Sequence, residues 1–516
     1  MKKIVILDLG QDIEFKLKNT LVFQLSCGSC DLNNCKIINK NFFNDRKLEN
    51  FKKQLNNSFF NFYKFLKKKN IKEDILTLEI FNQRNDKNQL FNKIFNTVEI
   101  LKYARLKKIK NIEIITDDNT FYNSYKSVKN KNIKVTNISR SKSSNNFFNY
   151  FINTFYFHLK SLIIVILAKI IGNSALKKKQ ISDCCLSMFP LFYKKKENLF
   201  FKKKYFNLNF QITDETHLGN SLLKNLINLF KITKIKNCLM AESLITFKSI
   251  FKNFFKSLNN YYLIKETNKY KFIINEIDCS DQFRNLFYFS LLNLNKLNIY
   301  RTGLENFLKK TKIKKFHYYL FEYNFGYYLC NLIKTFSPKT VLIGYQHGIY
   351  SERLMWQNLS KKINYYNYFP NEIVCKYKFS FIAYKKNFKN LKIYPEKSNE
   401  KLNKIKKYKF ISNQYNVFLG LHDSYNTINE LRNINQKNKF ILNIHPKMKY
   451  MNKLNIKNNI KFNYEKSTFK NKKKLLSSTS TMPYQLYSKE KFNIIVPKNI
   501  IPLNPKIFDK LIFKPN

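Results

Sequence analysis

Three short stretches bring together residue types from which a site could be built. Gly344-Tyr345-Gln346-His347-Gly348 closes the apolar run Thr340–Gly344. Two glycines within five residues permit a tight turn and close backbone approach to a ligand. His347, at a strand end, could move a proton or donate to a phosphate. Gly344, Gln346 and Gly348 are therefore candidate ligand contacts, and Glu352 and Arg353 follow closely enough to orient a polar or phosphate-bearing ligand. The second stretch is Phe440–Ile444, ending in His445-Pro446-Lys447. Pro446 disfavours helix at His445 and presents the imidazole in an extended turn, where Lys447 beside it suits a phosphate. The third is Ser477-Ser478-Thr479-Ser480-Thr481, placed ahead of an expected helix. Hydroxyls combined with the free N–H groups of a helix start make an anion site that needs no metal. Each stretch also has an ordinary reading: a turn histidine bonded to backbone, a strand-ending turn, an N-cap by Ser480.

These motifs need strand ends to hold them. Short β-branched runs at Lys3–Leu9, Leu21–Leu25, Ile75–Ile80, Ile112–Thr116 and Ile133–Val135 read as strands, with helices at Asp45–Lys68 and Asn88–Lys107. Strands alternating with helices predict a parallel, doubly wound sheet. Between 150 and 310 the pattern is weaker: strands at Asp183–Pro190 and Lys271–Ile277, helices at Leu222–Lys231 and Leu244–Leu258. It sharpens again beyond 310. Strands are expected at Phe316–Tyr323, Thr340–Gly344, Val417–Leu421, Lys439–Ile444, Ile460–Tyr464 and Phe492–Val496, with helices at Gly326–Phe336 and Tyr425–Gln436. The polar motifs sit mostly at carboxyl ends of strands, where open α/β sheets bind ligands. The charged stretch Glu396–Lys407 reads as an interdomain segment. The division expected is an α/β domain over 1–395, with a helical insertion around 150–310, and a Rossmann-like domain over 396–516.

Composition removes several classes. The 516 residues include only 9 Gly, where ordinary usage of about 7% would give roughly 36. There is no G-x-G-x-x-G and no G-x-x-x-x-G-K-[ST], which argues against a dinucleotide fingerprint and a P-loop. The net charge of +60 is spread along a chain rich in Lys, Asn, Ile, Phe and Tyr, as an AT-rich genome would produce. Coding bias accounts for it, with anionic membrane or polyanion attraction as the alternative. Nine scattered cysteines read as reduced thiols in a cytoplasm, and Cys27-x2-Cys30 lacks a second half for zinc. No metal and no cofactor is expected.

The most apolar segment is Phe155–Gly172, whose uninterrupted core Leu162–Ala168 is too short to span a bilayer needing about 20 residues. Lys160 and Lys169 fall on opposite helix faces, so the segment reads either as a buried helix with snorkelling ends or as a monotopic helix dipping into a membrane surface.

A His-Pro after a strand, followed downstream by Ser-Ser-Thr, resembles the nucleotide-sugar site of bacterial sialyl- and polysialyltransferase-type enzymes. CDP-glycerol phosphotransferases and related capsule and lipopolysaccharide transferases carry a similar arrangement. The stretch Tyr318–Trp356, with Glu322 and the Gln-His-Gly turn, is similar to bacterial surface-carbohydrate biosynthesis proteins. The resemblance covers roughly 315–500. It implies a GT-B architecture, two Rossmann-like domains facing a central cleft. It implies a glycosyltransferase that uses a nucleotide-activated donor, CMP-linked acids included, and a lipid-linked or glycan acceptor. Such an enzyme would be cytoplasmic and peripheral at the inner face of the plasma membrane. His445, Ser477, Ser478 and Thr479 would hold the donor phosphate and nucleotide. The family's acidic base motif is absent in its usual form, and Glu322 takes that place, with His347 second. Two other classes compete: a catalytically inactive GT-B-like scaffold, and a basic nucleic-acid-binding protein. The latter carries no recognised nucleic-acid motif, and no specific nucleic acid is expected.

Overall fold

The architecture was read from a computed structural model. It describes residues 3–10, 13, 16–26, 28, 35–38, 41–69, 78–82, 90–128, 133–139, 147–171, 180–188, 205–210, 237–320, 324–346, 350–353, 366–395, 414–420, 423–432, 434, 437–444, 459–463, 473–479, 483 and 492–513.

The fold is mixed α/β and is organised on three parallel sheets. The first contains β1 (Lys3–Asp8), β2 (Leu21–Gln24), β3 (Lys36–Ile37), β4 (Asn111–Thr116) and β5 (Ile133–Asn137), in the order β3-β2-β1-β4-β5. Its helices are α1 (Asp45–Lys68), α2 (Leu90–Leu106) and α3 (Asn119–Lys126). α1 forms because its apolar residues recur at helical spacing: Leu48, Phe51, Leu55, Phe59, Phe62 and Leu66 are buried, and Asn44 caps the start by accepting from the Arg46 N–H. The expected strand over Ile75–Ile80 fails in its described part. Glu79–Asn82 is a single 3-10 turn that drops Ile80 and Phe81 into the core.

The helix α4 (Phe147–Ile171) leads into the second sheet. This begins with β6 (Gln180–Met188), β7 (Phe206–Phe210) and β8 (Cys238–Met240), followed by helices α5 (Phe247–Asn259) and α6 (Tyr261–Thr267). The expected strand over Lys271–Ile277 is a hairpin, β9 (Ile273–Ile274) and β10 (Ile277–Asp278). Its two-residue turn places Asn275 and Glu276 at φ 49° and 67°, the left-handed region that primed hairpin turns require. A long helix, α7 (Ser280–Lys310), then runs behind the sheet. It is buried on most of its circumference, so it carries no clean polar stripe. The sheet continues with β11 (Lys312–Leu320), α8 (Asn324–Phe336), β12 (Val341–Gln346), β13 (Glu372–Cys375), α9 (Lys378–Asn387) and β14 (Lys392–Pro395). The order is β14-β13-β12-β11-β6-β7-β8. Residues 1–395 thus hold two parallel sheets, and residues 150–310 contribute strands as well as helices. One apolar core runs through both, from Ile4 and Ile6 across Phe59, Phe62 and Phe283 to Phe316 and Ile373.

The third sheet comprises β15 (Gln414–Phe418), α10 (Ser424–Arg432), β16 (Lys439–Asn443), β17 (Ile460–Asn463), β18 (Lys473–Ser477) and β19 (Phe492–Ile495). Its order, β17-β16-β15-β18-β19, repeats that of the first sheet strand for strand. It has its own core around Val417, Leu431, Leu442 and Leu475.

Arg353 ties the three parts together. It is 1% exposed and all five of its N–H groups are engaged. Nε donates to Asp45 at 3.0 Å, Nη1 to the Asn504 carbonyl at 3.0 Å and to Asp509 at 2.8 Å, and Nη2 to Asp509 at 2.7 Å and Asp45 at 3.4 Å. Asp45 opens α1, Arg353 follows β12, and Asp509 lies in the segment paired to β19 through Ile494 and Ile512. Breaking a buried pair leaves an uncompensated charge, which costs about 3–5 kcal/mol, and the partial exposure of both aspartates puts the cost near the low end. Arg353→Ala should therefore lower stability by about 3 kcal/mol, and Arg353→Lys, with three donors on a point charge, by less but measurably. Denaturant midpoints of the three proteins check this; an unchanged midpoint in Arg353→Ala would refute the tie.

Candidate functional site

In a doubly wound sheet the crevice opens where strand order reverses. In the third sheet that point lies between β15 and β18. The chain leaves β15 at Leu419 and Gly420 and enters α10 through Asp423. It leaves β18 at Ser477, Ser478 and Thr479. Asp423 is buried, and its carboxylate gathers Ser477, Ser478 and Thr479, the described part of the hydroxyl run; Ser480 and Thr481 lie outside the described residues. One oxygen accepts from the Ser477 hydroxyl and from Thr479 Oγ1 at 2.6 Å; the other accepts from Ser478 Oγ at 2.8 Å and the Thr479 N–H at 3.1 Å. Gly420 closes the site. A Cβ there would collide with Thr479 Oγ1 and stand 2.6 Å from Ser477 Oγ and 2.7 Å from Asp423. Among the described residues no cation pairs with Asp423.

This changes what the hydroxyls can do. Their protons point at Asp423, so toward a ligand they present lone pairs. Ser477 and Ser478 are fully buried, and only Thr479 is part exposed. The cluster suits a donor group such as a ribose hydroxyl or an amine better than a phosphate. Asp423 was missed at the sequence level because it stands 54 residues from Ser477.

The other expected residues fall into two groups. Gly344 is required by packing, since a Cβ would meet Leu320 at 3.0 Å and Pro370 at 3.2 Å. Gln346 is buried and joins β12 to α9: its amide donates to Ser380 Oγ at 2.6 Å and its carbonyl accepts from the Lys376 N–H at 3.0 Å. With Arg353 in its carboxylate clamp, these three have structural partners. The Glu352 carboxylate accepts from the Lys506 N–H at 3.2 Å. Glu322, His347, Gly348, His445, Pro446 and Lys447 lie outside the described residues, as do Cys27, Cys30 and the expected helix over Leu222–Lys231. Among the described residues, no three His, Cys, Asp or Glu side chains converge as a metal site.

The first sheet repeats the arrangement at its own reversal, between β1 and β4. Asp8 is buried and accepts from the Ser26 hydroxyl, from Tyr125 Oη at 2.9 Å and from Thr116 Oγ1 at 3.2 Å. Here a cation is present: Lys93 Nζ lies 2.8 Å from Asp8. Burial opposes the charge on Lys93, but Asp8 and Asp118 outweigh it and hold the ammonium above its usual range. The two sheets meet near these ends, where the Asn429 amide on α10 donates to Gln24 at the end of β2 at 3.1 Å.

A third polar cluster lies on the second sheet, beside β6 and β11, where its crossovers change face. His317 Nε2 is 2.9 Å from Asp183, and its Nδ1 is 3.2 Å from Tyr345 Oη. An ionised Asp183 accepts a hydrogen bond from the Nε2 proton, and in the neutral ring Nδ1 is then the acceptor facing the tyrosine hydroxyl. Tyr205 stacks on the imidazole with centroids 4.9 Å apart. Burial pushes the Tyr345 phenol up to about 12, helped by Tyr205 and Asp183, so it keeps its proton at neutral pH and can serve as a hydrogen-bond donor. Sequence offered one cue, the alternation in Phe316-His317-Tyr318-Tyr319-Leu320. It places His317 and Tyr319 opposite the core face.

No protein family, curated protein or solved structure matches this chain.

Two outcomes follow from these contacts. Gly420→Ala should lower stability by about 1–3 kcal/mol, as overpacking does, because the hydroxyls must leave Asp423; a denaturant midpoint equal to that of the wild type would show the cluster to be loose. For Asp183, burial works to raise the carboxyl pKa, but hydrogen bonds from Ser182 and His317 outweigh it and hold it below the usual range. A lowered carboxyl pKa supplies stability above about pH 4 that is lost as pH falls through the folded value. Asp183→Asn should therefore show a flatter dependence of midpoint on pH below about 4 than the wild type; parallel curves would remove Asp183 from the acid response.

Proposed function

We propose that the chain is a nucleotide-sugar glycosyltransferase of surface-carbohydrate biosynthesis, such as capsule or O-antigen assembly, acting by metal-independent displacement. The observation that carries this reading is the pairing of two parallel sheets of identical strand order. Each has a buried aspartate and hydroxyl cluster at its reversal point, and they touch through Gln24 and Asn429. That pairing fits a GT-B arrangement in which the facing units are the first and third sheets, with the second sheet packed beside the first.

In this proposal Asp423 and Thr479 take the donor's ribose hydroxyls or, for a CMP-linked donor, the cytosine amine. Both are donor groups that meet an acceptor-rich cluster. His445 and Lys447 then carry the leaving phosphate, while Glu322 deprotonates the acceptor hydroxyl, with His347 as the second choice. The lipid-linked or glycan acceptor enters from the opposite side of the cleft. One observation favours a second reading, a scaffold that has lost catalysis: the expected phosphate-binding hydroxyls are already bonded to an internal carboxylate.

Calorimetry with CMP-, CDP- and UDP-linked donors, followed by a transfer assay, separates the two. The transferase reading expects one donor class to bind. Thr479→Val should weaken that binding. His445→Ala should slow transfer by about 3 kcal/mol in the transition state. Glu322→Gln should bind donor yet fail to transfer. Absence of binding by every donor would reject the transferase and leave the scaffold.

A further inference from the structure

The helix α4 is amphipathic in the wrong sense for a water-facing element. Its buried stripe opens with polar groups, Tyr150, Thr154, His158 and Ser161, and ends with Ile164, Val165 and Ala168, while Asn153 and Lys169 are exposed. These face α5 and α7. Tyr150 Oη donates to the Ser257 carbonyl at 3.0 Å, the His158 ring bonds the Thr154 carbonyl at 2.8 Å, and Asn295 of α7 donates to Thr154 Oγ1 at 3.3 Å. The outward face is apolar almost from end to end, with Phe148 and Tyr156 each 67% and Ile170 75% exposed. Helices of water-soluble proteins place these faces the other way round. Phe147–Ile170 is long and apolar enough to cross a membrane, yet a third of its most apolar window is buried against the protein.

The apolar face does not stop at α4. Phe254 of α5 meets Phe151 and Phe155 of α4, each pair with centroids 6.2 Å apart. Next to it around α5 stand Phe247, Phe251 and Phe255, all exposed, spaced four residues apart in one stripe. One position further on, about 100° around the helix, come Lys248, Lys252 and Lys256. Neither helix contains a single Asp or Glu. At one end of the face, a shallow cleft of about 460 Å³ is lined by Phe147, Leu258, Asn259, Tyr261, Tyr262 and Lys265.

We propose that α4 and α5 form a monotopic membrane-docking face for an anionic lipid bilayer. Hydrocarbon and the glycerol region cover the aromatic and aliphatic surface, while the lysine row along α5 meets the phosphates at its margin. The charge complementarity selects lipid. A protein partner would need its own apolar surface ringed by acids, whereas an anionic leaflet supplies both layers in this order. The cleft, with aromatic walls and Lys265 at its rim, receives one anionic headgroup and the upper part of its chains. Because the other side of α4 is packed on α5 and α7, the helix lies in the interface plane and does not cross the bilayer. This inference is independent of the donor-site reading.

Flotation of the full chain with phosphatidylcholine vesicles, with and without phosphatidylglycerol, tests it. The chain should float with the phosphatidylglycerol vesicles, several-fold less with phosphatidylcholine alone, and should keep part of its binding at high salt, where charge is screened but apolar contact is not. Phe251→Asp with Phe255→Asp should reduce flotation by about tenfold or more without shifting the thermal midpoint, because both side chains are already exposed. Lys248→Glu with Lys252→Glu should reduce it on phosphatidylglycerol vesicles only. Nucleotide binding, where present, should be unchanged in both variants. Undiminished flotation of the double phenylalanine variant would overturn the proposal. So would a wild type that ignores vesicles and sediments as a dimer, with the phenylalanine variant a monomer. Resistance to alkaline carbonate extraction would replace in-plane docking with a span.

Discussion

Arg353 has no route to water, and a guanidinium cannot shed its charge, so its site persists only while Asp45 and Asp509 reach it from two other parts of the chain. Burial alone would disfavour the cation, but the hydrogen bonds and charges of Asp509 and Asp45 more than offset it and hold the guanidinium above its ordinary pKa. The geometry is demanding: five planar donors must find five acceptors, and Phe43 lies 4.8 Å beneath the guanidinium. That specificity orients the first and third sheets. Once the clamp is set, the segment 499–501 is laid along α2. There Asn96 donates to the Asn499 carbonyl, Asn499 to the Leu25 carbonyl, and the Ile501 N–H to Asn92. The contact of Asn429 with Gln24 is the outer edge of the same polar seam.

The seams between the sheets differ in composition. The first and second sheets share a continuous apolar core and cannot part without exposing it. The third sheet has a core of its own and adheres through amides, one buried charge and a small apolar cluster that includes Tyr377 and Phe508, while Ile501 and Leu503 beyond β19 enter the shared core. Interfaces of that composition accommodate relative domain movement more readily than a fused core.

Much of the strand series was legible because parallel strands are buried on both faces and read as short apolar runs bounded by turns. Val417, Leu442 and Leu475 announce their strands in that way. The elements that escaped have physical reasons. α7 is surrounded by protein and so has no polar stripe to reveal its period. The α4 segment was recognised as apolar, but its buried face is the more polar one, which only its neighbours α5 and α7 disclose. For the sites, the hydroxyl run was visible as a run. Its partner was not, because a lone Asp423 carries no signal until β15 and β18 place it beside Ser477. His317 needed the register that sets it opposite Cys185 and Ile343, bringing Asp183 and Tyr345 within reach of one ring. Gly344, Gln346 and Arg353 attracted notice by type and position, and each is held by packing or by bonds that a single sequence does not display.

Comparison of the two aspartate clusters gives the sharpest constraint on chemistry. Both sit at the reversal point of the same strand order, and both use hydroxyl donors to tolerate burial. In the first sheet Lys93 completes the site: its ammonium pairs with Asp8 at 2.8 Å and reaches Asp118 at 3.6 Å, so the buried carboxylate has a cation beside its hydroxyl donors. Burial, with the Asp8 charge, holds the Tyr125 phenol well above its usual range, so it stays protonated and keeps donating to Asp8. In the third sheet four donors meet Asp423 and no described cation does. A charge held by hydrogen bonds alone still projects a negative potential toward the mouth of its crevice. Whatever enters beside Thr479 is selected for hydrogen-bond donors and against phosphate at that spot.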